Sequence, residues 1–264
     1  MGTVHAAAPV LSVRELRKSF TLHTIDGRVV RSLNGVSFDV AAGEHVAIAG
    51  PNGAGKSSLL RCVYRTYLPD SGSVTLHGAG GPDGEVELTA LPDRAMARLR
   101  GRDICYVSQF LEAPPRAGTL EVVADAARRR GLGHDAADAA AAAALRRLGV
   151  DEALWDTDCG VLSGGERQRI NLAAGTVSPP RLLLLDEPAS ALDPGNRERA
   201  LRLIETLTGQ GVAIVSVFHD ADAIVRLATR VLVLAGGQIA ADGPPAEALA
   251  ALEPFTASAT EVTA

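Results

Sequence analysis

Apolar positions along the 264-residue chain fall into short regular runs separated by glycine, proline and acidic residues. Val10–Leu22 and Arg28–Val40 alternate apolar with polar residues, the pattern of strands that bury one face. Asp26-Gly27 between them suits a hairpin turn, because glycine adopts positive φ without strain. His45–Ala49 predicts a short buried strand, and Ser57–Tyr67 a helix directly after it. Ser73–Leu76 and Glu85–Leu88 predict a second small hairpin, with Asp93 as the cap of a helix running to Arg100. Ile104–Val107 predicts one more buried strand.

The pattern then changes. From Thr119 to Leu148 the chain is rich in Ala, Leu and Arg at helical spacing, and its run Ala139–Ala144 favours helix because alanine loses no side-chain entropy there. Beyond it, Arg181–Leu185, Val212–Phe218 and Val231–Ala235 predict strands, interleaved with helices over Arg197–Thr208 and Ala221–Leu227. Strands alternating with helices imply a parallel sheet with right-handed crossovers. The residues after Pro254 are polar and predict a loose tail.

Composition narrows the class. Hydrophobic residues make up 47%, much of it alanine, and aromatics only 3%, so side chains should pack small and close. No apolar run approaches the roughly 18 residues that span a bilayer. Ala6–Leu11 is too short for a secretion signal, is broken by Pro9 and has no basic flank, so the chain is expected to stay cytoplasmic. Cys62, Cys105 and Cys159 have no metal-ligand spacing and are expected to be reduced. A net charge of −5 argues against a nucleic-acid partner. Arg128-Arg129-Arg130 and Arg146-Arg147 are local exceptions, expected on solvated helix faces.

Two segments carry chemistry. Gly50-Pro51-Asn52-Gly53-Ala54-Gly55-Lys56-Ser57, followed by Ser58, fits the Walker A pattern between a predicted strand and helix. Small residues let backbone N–H groups turn inward around a polyphosphate, and the helix start adds partial positive charge. Lys56 would reach the β- and γ-phosphates and the Ser57 hydroxyl would hold Mg²⁺. Leu182–Leu185 reads as a strand buried on both faces, delivering Asp186 and Glu187 at its C-terminal end, where open α/β sheets bind ligands. Asp186 would orient Mg²⁺, and Glu187 would polarise the attacking water.

Leu162-Ser163-Gly164-Gly165-Glu166-Arg167-Gln168, just before that strand, is similar to the signature motif of the ABC ATPases. Ser163 and two glycines opening a helix form a second anion site, and Ser163 with Glu166 also fits an ordinary capping box. The resemblance extends to Gln109 as the Q-loop glutamine near Mg²⁺, Ser190–Asp193 as the D-loop at a dimer interface, and His219 as the switch histidine on the γ-phosphate. Phe20 stands where that family stacks a ring on adenine, and a plain core phenylalanine is the other reading. Ala189 and Phe218 depart from the family pattern without removing a reactive group.

This resemblance implies a P-loop NTPase of the ABC ATPase type, an α/β fold. Its mostly parallel core sheet would carry an N-terminal antiparallel β subdomain and an inserted helical subdomain. Residues 1–252 would form one domain: 10–109 and 178–252 the nucleotide-binding core, 110–177 the helical part, with 253–264 a tail. It implies ATP and Mg²⁺, and a dimer in which Lys56 and Glu187 of one copy face Ser163 and Gly165 of the other.

A narrower resemblance concerns the partner. Phe20–His23 with Gly27, Tyr64–Gly72, Tyr106–Leu111, Pro115-Arg116, Trp155 and Phe218–Asp220 are similar to an accessory ATPase of the bacterial phosphonate carbon–phosphorus lyase system. Glu112–Pro114 and the Ala-rich middle helix depart from it. The resemblance implies soluble lyase core subunits as partners, in the synthesis of a ribose 1-phosphonate 5-triphosphate. The motor of a membrane transporter, of importer or lipoprotein-release type, shares every motif and stays open beside it. A module that binds ATP without hydrolysing it is a third reading, opposed by the presence of both Glu187 and His219.

Overall fold

A computed structural model describes residues 9–22, 28–79, 84–108 and 116–252. Strands β1 (Pro9–Leu22) and β2 (Arg28–Ala41) pair antiparallel, with Val13 opposite Phe38 and Phe20 opposite Val30. The turn at Asp26-Gly27 lies outside the described residues. After β3 (His45–Ala49) and α1 (Lys56–Val63), β4 (Ser71–His77) joins the free side of β1, and β5 (Glu85–Glu87) joins β4. The result is a four-stranded antiparallel sheet in the order β2-β1-β4-β5.

Helix α2 (Asp93–Leu99) leads to β6 (Ile104–Val107). Helices α3 (Thr119–Arg129), α4 (His134–Arg147) and α5 (Gly164–Thr176) then form the layer before β7 (Leu182–Asp186). Next come α6 (Pro194–Gly209), β8 (Ala213–Val217), α7 (Ala221–Leu227), β9 (Arg230–Ala235), β10 (Gln238–Gly243) and α8 (Pro245–Ala250). The second sheet runs β10-β9-β3-β8-β7-β6, parallel except for the edge strand β10.

Strands β3, β7 and β8 are buried at every residue, which is why they read as apolar runs without alternation. Successive side chains still go to opposite faces. Ala47, Leu183, Leu185 and Ile214 join one core with α3–α7, whereas Val46, Ile48, Leu182, Leu184 and Val215 join another with α1 and the antiparallel sheet. The parallel sheet is therefore the wall between two cores. On the helical side, α4 faces inward with Leu145 and with Ala137, Ala141 and Ala144, three small residues that let it lie against α3 and α5.

Several expectations need correction. The helix after the glycine loop ends at Val63 rather than Tyr67, because the chain turns at Arg65 with φ +60°. Asp93 is the first residue of α2, not its cap; its carboxylate accepts a bond from Arg65 Nη2 at 3.0 Å. The long helical stretch is two helices, divided where Gly131 takes φ +97°. Arg130 does not lie on a solvated face: it turns inward to the carbonyls of Gly101 (2.6 Å) and Gly175 (3.1 Å), tying the end of α3 to the turn before β6 and to α5. The hairpin partner β10 and helix α8 add to the elements foreseen. All three cysteines are free and buried, and no helix among the described residues is long and apolar enough to cross a membrane.

Candidate functional site

The register of the parallel sheet assembles the site. Ile48 and Asp186 both pair with Val217, so β3, β7 and β8 end side by side. Each continues into one chemical segment: Gly50–Ser58, Asp186-Glu187 and His219. They face a cleft of about 440 Å³ lined by Asn52, Gly53, Gly55, Lys56, Ser57, Ser58, Glu187 and His219, with Phe20, Val30 and Ser32 along one wall.

The glycine loop is sterically committed. A Cβ on Gly50 would stand 2.1 Å from the Leu234 carbonyl oxygen, and one on Gly55 would stand 2.3 Å from that of Ser32. Gly55 also takes φ +103° at the start of α1, which has no side-chain cap. The helix therefore opens with backbone donors directed toward the cleft, the arrangement that binds a phosphate. Lys56 is almost fully buried and its ammonium donates to the carbonyls of Gly50 (2.8 Å) and Pro51 (3.0 Å). Burial holds its pKa below the ordinary lysine value, against the opposing pull of Glu187 and Asp186. Pro51 and Ala54 complete the loop, with Ala54 N bonded to Pro51 O at 3.2 Å.

Asp186 is 5% exposed at the tip of β7. Ser57 Oγ donates to its Oδ1 at 3.1 Å and Tyr106 Oη to its Oδ2 at 2.8 Å. A hydroxyl beside a carboxylate is an all-oxygen donor set suited to a hard divalent cation that keeps several waters. With the glycine cradle behind it, the site fits a magnesium-bound polyphosphate. Glu187 takes φ +54°, a left-handed conformation unusual for its residue type, and its N–H donates to Val217 O at 3.0 Å. His219 Nε2 and Glu187 Oε1 are 2.6 Å apart. Phe20 lines the cleft and meets Tyr67 edge-on at 5.2 Å, with Lys18 Nζ 5.3 Å from its ring centre.

Other residues singled out in the sequence do not join this cleft. Ser163 caps α5 with a complete capping box: Glu166 N donates to Ser163 Oγ (3.3 Å) and Ser163 N donates to Glu166 Oε2 (2.8 Å). The Ser163 hydroxyl, donating to Oε2 at 2.7 Å, and then the Ser163 N–H hold the Glu166 carboxyl below its ordinary value. A Cβ on Gly164 would meet open space, and one on Gly165 would stand 3.1 Å from Ala191 O in the loop after β7. Asp193 caps α6, accepting from Asn196 N at 3.0 Å. None of Ser163, Gly164, Gly165, Glu166 or Asp193 lines the cleft of its own chain. Gln109 lies outside the described residues.

Sequence reasoning missed several supports. Gln168 on α5 donates to Pro188 O at 3.0 Å, and Asn171 donates to Ser108 O at 2.8 Å. One helix thus braces both the acidic segment and the chain just before Gln109. Arg197 on α6 forms an ion pair with Asp220, next to His219. Tyr106, named only within the segment Tyr106–Leu111, carried no expected role of its own, although a tyrosine in a strand of a buried sheet signals a partner for its hydroxyl.

The comparisons agree with this fold and site. The family described as ABC transporter matches residues 33–190. The chain is 33% identical over 239 residues to the methionine import ATP-binding protein MetN of Brucella abortus, covering 90% of this chain and 60% of that protein. It is 34% identical to the lipoprotein-releasing system ATP-binding protein LolD of Ruegeria pomeroyi, covering 89% and 98%. A solved dimeric ATP-binding cassette, in a post-hydrolysis state bound to ADP and Pi, superposes with a TM-score of 0.79 at 23% identity, over 89% of this chain and 98% of that one.

The fold and the cleft define a P-loop nucleotide-binding protein. The chain belongs to the ABC transporter family of ATP-binding proteins, and its cleft fits ATP with Mg²⁺. It spans 60% of the length of the methionine import relative.

Proposed function

We propose that this chain is half of an ATP-hydrolysing dimer, and that the dimer serves a soluble phosphonate carbon–phosphorus lyase core. One observation carries the first part. Lys56, Ser57, Glu187 and His219 share a cleft, while the other anion-binding helix start, at Ser163–Gly165, stands outside it. A second copy related by a two-fold axis would bring Ser163, Gly164, Gly165 and Glu166 to the open side of that cleft and receive the same in return. Residues 1–252 then act as one domain, with 10–109 and 178–252 as nucleotide-binding core and 110–177 as the helical part that presents the signature.

In this reading the Gly50–Ser58 backbone and Lys56 bind the β- and γ-phosphates, with Phe20 against the adenine. Ser57, Asp186 and Gln109 hold Mg²⁺. The ion supplies charge neutralisation at the phosphate oxygens. Glu187 accepts the proton of the attacking water, and His219, released from Glu187, donates to the γ-phosphate. Asp193 shapes the loop that meets the second copy. Phosphate release by the purified protein tests this part. Glu187→Gln should lose on the order of 10²–10⁴-fold in rate, and equal rates for the two proteins would remove Glu187 as the base.

The second part rests on the segments Tyr64–Gly72, Tyr106–Leu111, Pro115-Arg116 and Phe218–Asp220, which resemble the L subunit of the lyase system. The names of the import and lipoprotein-release relatives favour a different output, the motor of a membrane transporter. Affinity purification from the native host separates the two. Soluble lyase subunits would support the first output, and membrane permeases would replace it with the second.

A further inference from the structure

Tyr106 is the third residue of β6 and the only polar side chain among that strand's four, apart from the thiol of Cys105. Its hydroxyl donates to Asp186 Oδ2 at 2.8 Å, while Ser57 Oγ donates to Oδ1 of the same carboxylate at 3.1 Å. Arg61, on α1, donates to the Tyr67 hydroxyl at 2.8 Å, and its guanidinium charge also acts on the Tyr106 hydroxyl. A guanidinium can only donate. The Arg61 charge therefore favours the oxygen of Tyr106 facing it and the single phenolic proton facing Asp186.

The ring is fixed as firmly as the hydroxyl. Tyr64 packs against it with ring centres 5.2 Å apart, and Arg100 lies 5.0 Å over the outer side of Tyr64. Tyr67, bonded to the same Arg61, meets Phe20 edge-on. All three tyrosines of the chain stand in this one cluster, which reaches from the Phe20 wall of the cleft to the Asp186 carboxylate.

We propose that Tyr106 is a positioning residue for the divalent-cation site, its hydroxyl aimed by Arg61 so that the Asp186 carboxylate is held with Oδ1 toward Ser57 and the cation. The proposal rests on the assignment of Ser57 and Asp186 to that cation. Asp186 is too enclosed for bulk water to replace a lost donor freely, so the hydroxyl controls its orientation. The ligating side chains alone do not set affinity for the metal: partners that orient a ligand typically change it by about 10–100-fold.

Tyr106→Phe removes the hydroxyl and retains the ring against Tyr64. ATP binding to the full chain is measured by calorimetry across a Mg²⁺ series and again in EDTA, and bound Mn²⁺ is counted by electron paramagnetic resonance. The Mg²⁺ midpoint should rise on the order of tenfold, while ATP affinity in EDTA stays at the wild-type value. Arg61→Met, on a half-exposed face of α1, should raise the midpoint in the same direction by a smaller factor, and it carries the test if Tyr106→Phe does not fold. Unchanged midpoints overturn the proposal. An equal loss of ATP affinity with and without Mg²⁺ also overturns it, because that pattern marks damage to the loop rather than to the cation site. A wild-type protein whose ATP affinity is indifferent to Mg²⁺ would instead remove the assignment of Ser57 and Asp186.

Discussion

His219 Nε2 and Glu187 Oε1 lie 2.6 Å apart, so the groups read as switch and base hold each other at the mouth of the cleft. Both lie at the ends of neighbouring strands, and Glu187 keeps a left-handed backbone to reach this position. The contact occupies the carboxylate oxygen that a water would otherwise approach, so it must open before hydrolysis, freeing His219 to donate to the γ-phosphate. Without that donor, His219→Ala should lower phosphate release by about 10²–10³-fold without weakening ATP binding more than slightly. A steady-state phosphate assay run beside calorimetry checks both numbers; full activity in the variant would remove His219 from the mechanism.

Gly53 and Gly55 offer a contrast within one loop. Both have positive φ, at +77° and +103°, but a Cβ on Gly53 meets nothing within 4 Å, whereas one on Gly55 meets the Ser32 carbonyl at 2.3 Å. Gly53→Ala should cost only backbone strain, about 1 kcal/mol, and Gly55→Ala about 3 kcal/mol together with loss of nucleotide binding. Urea denaturation of the two variants gives the comparison, and equal destabilisation would contradict it.

His45 ties stability to pH. Its ring is buried at the start of β3 with Nε2 2.7 Å from Ser216 Oγ, and burial lowers its pKa from 6.5 to about 4. Between those values the unfolded chain binds a proton that the folded chain refuses. This contribution is complete above pH 6.5 and is lost as pH falls toward 4, amounting to ~3 kcal/mol. Denaturation midpoints of the wild type should fall across that window, and those of His45→Gln should fall less; parallel profiles would exclude His45 as the cause.

Ser163 separates stability from assembly. Its capping box lies on the exposed start of α5, so Ser163→Ala should cost about 1 kcal/mol in unfolding free energy. Because Ser163 does not line its own chain's cleft, ATP affinity of the single chain should stay within about twofold. Calorimetry at low protein concentration makes the measurement, and a large loss of affinity there would place Ser163 in the wrong site.

The chemistry in local motifs was legible, and the couplings between distant segments were not. The glycine loop, the four leucines before Asp186 and the apolar strand before His219 each announce strand, turn and side chain within a few residues, and the sheet register brings them together. The capping box at Ser163 was equally readable because its two partners are three residues apart. Tyr106 and Asp186 are 80 positions apart, as Arg197 and Asp220 are 23, and no periodicity connects such pairs. The break between α3 and α4 hid behind alanine and arginine on both sides, with only Gly131 and Gly133 to mark it. Strand β10 escaped notice because Ile239 is the one large apolar residue among its inward positions, beside Ala241 and Gly243.

The central claim is that two chains complete each other's sites. Glu187→Gln protein with saturating ATP and Mg²⁺, passed over a sizing column with light-scattering detection, tests it directly. The account predicts a species near twice the 27.3 kDa protomer, reverting to one protomer when Ser163→Arg is added. A chain that binds MgATP by calorimetry and still elutes as a single protomer would contradict it.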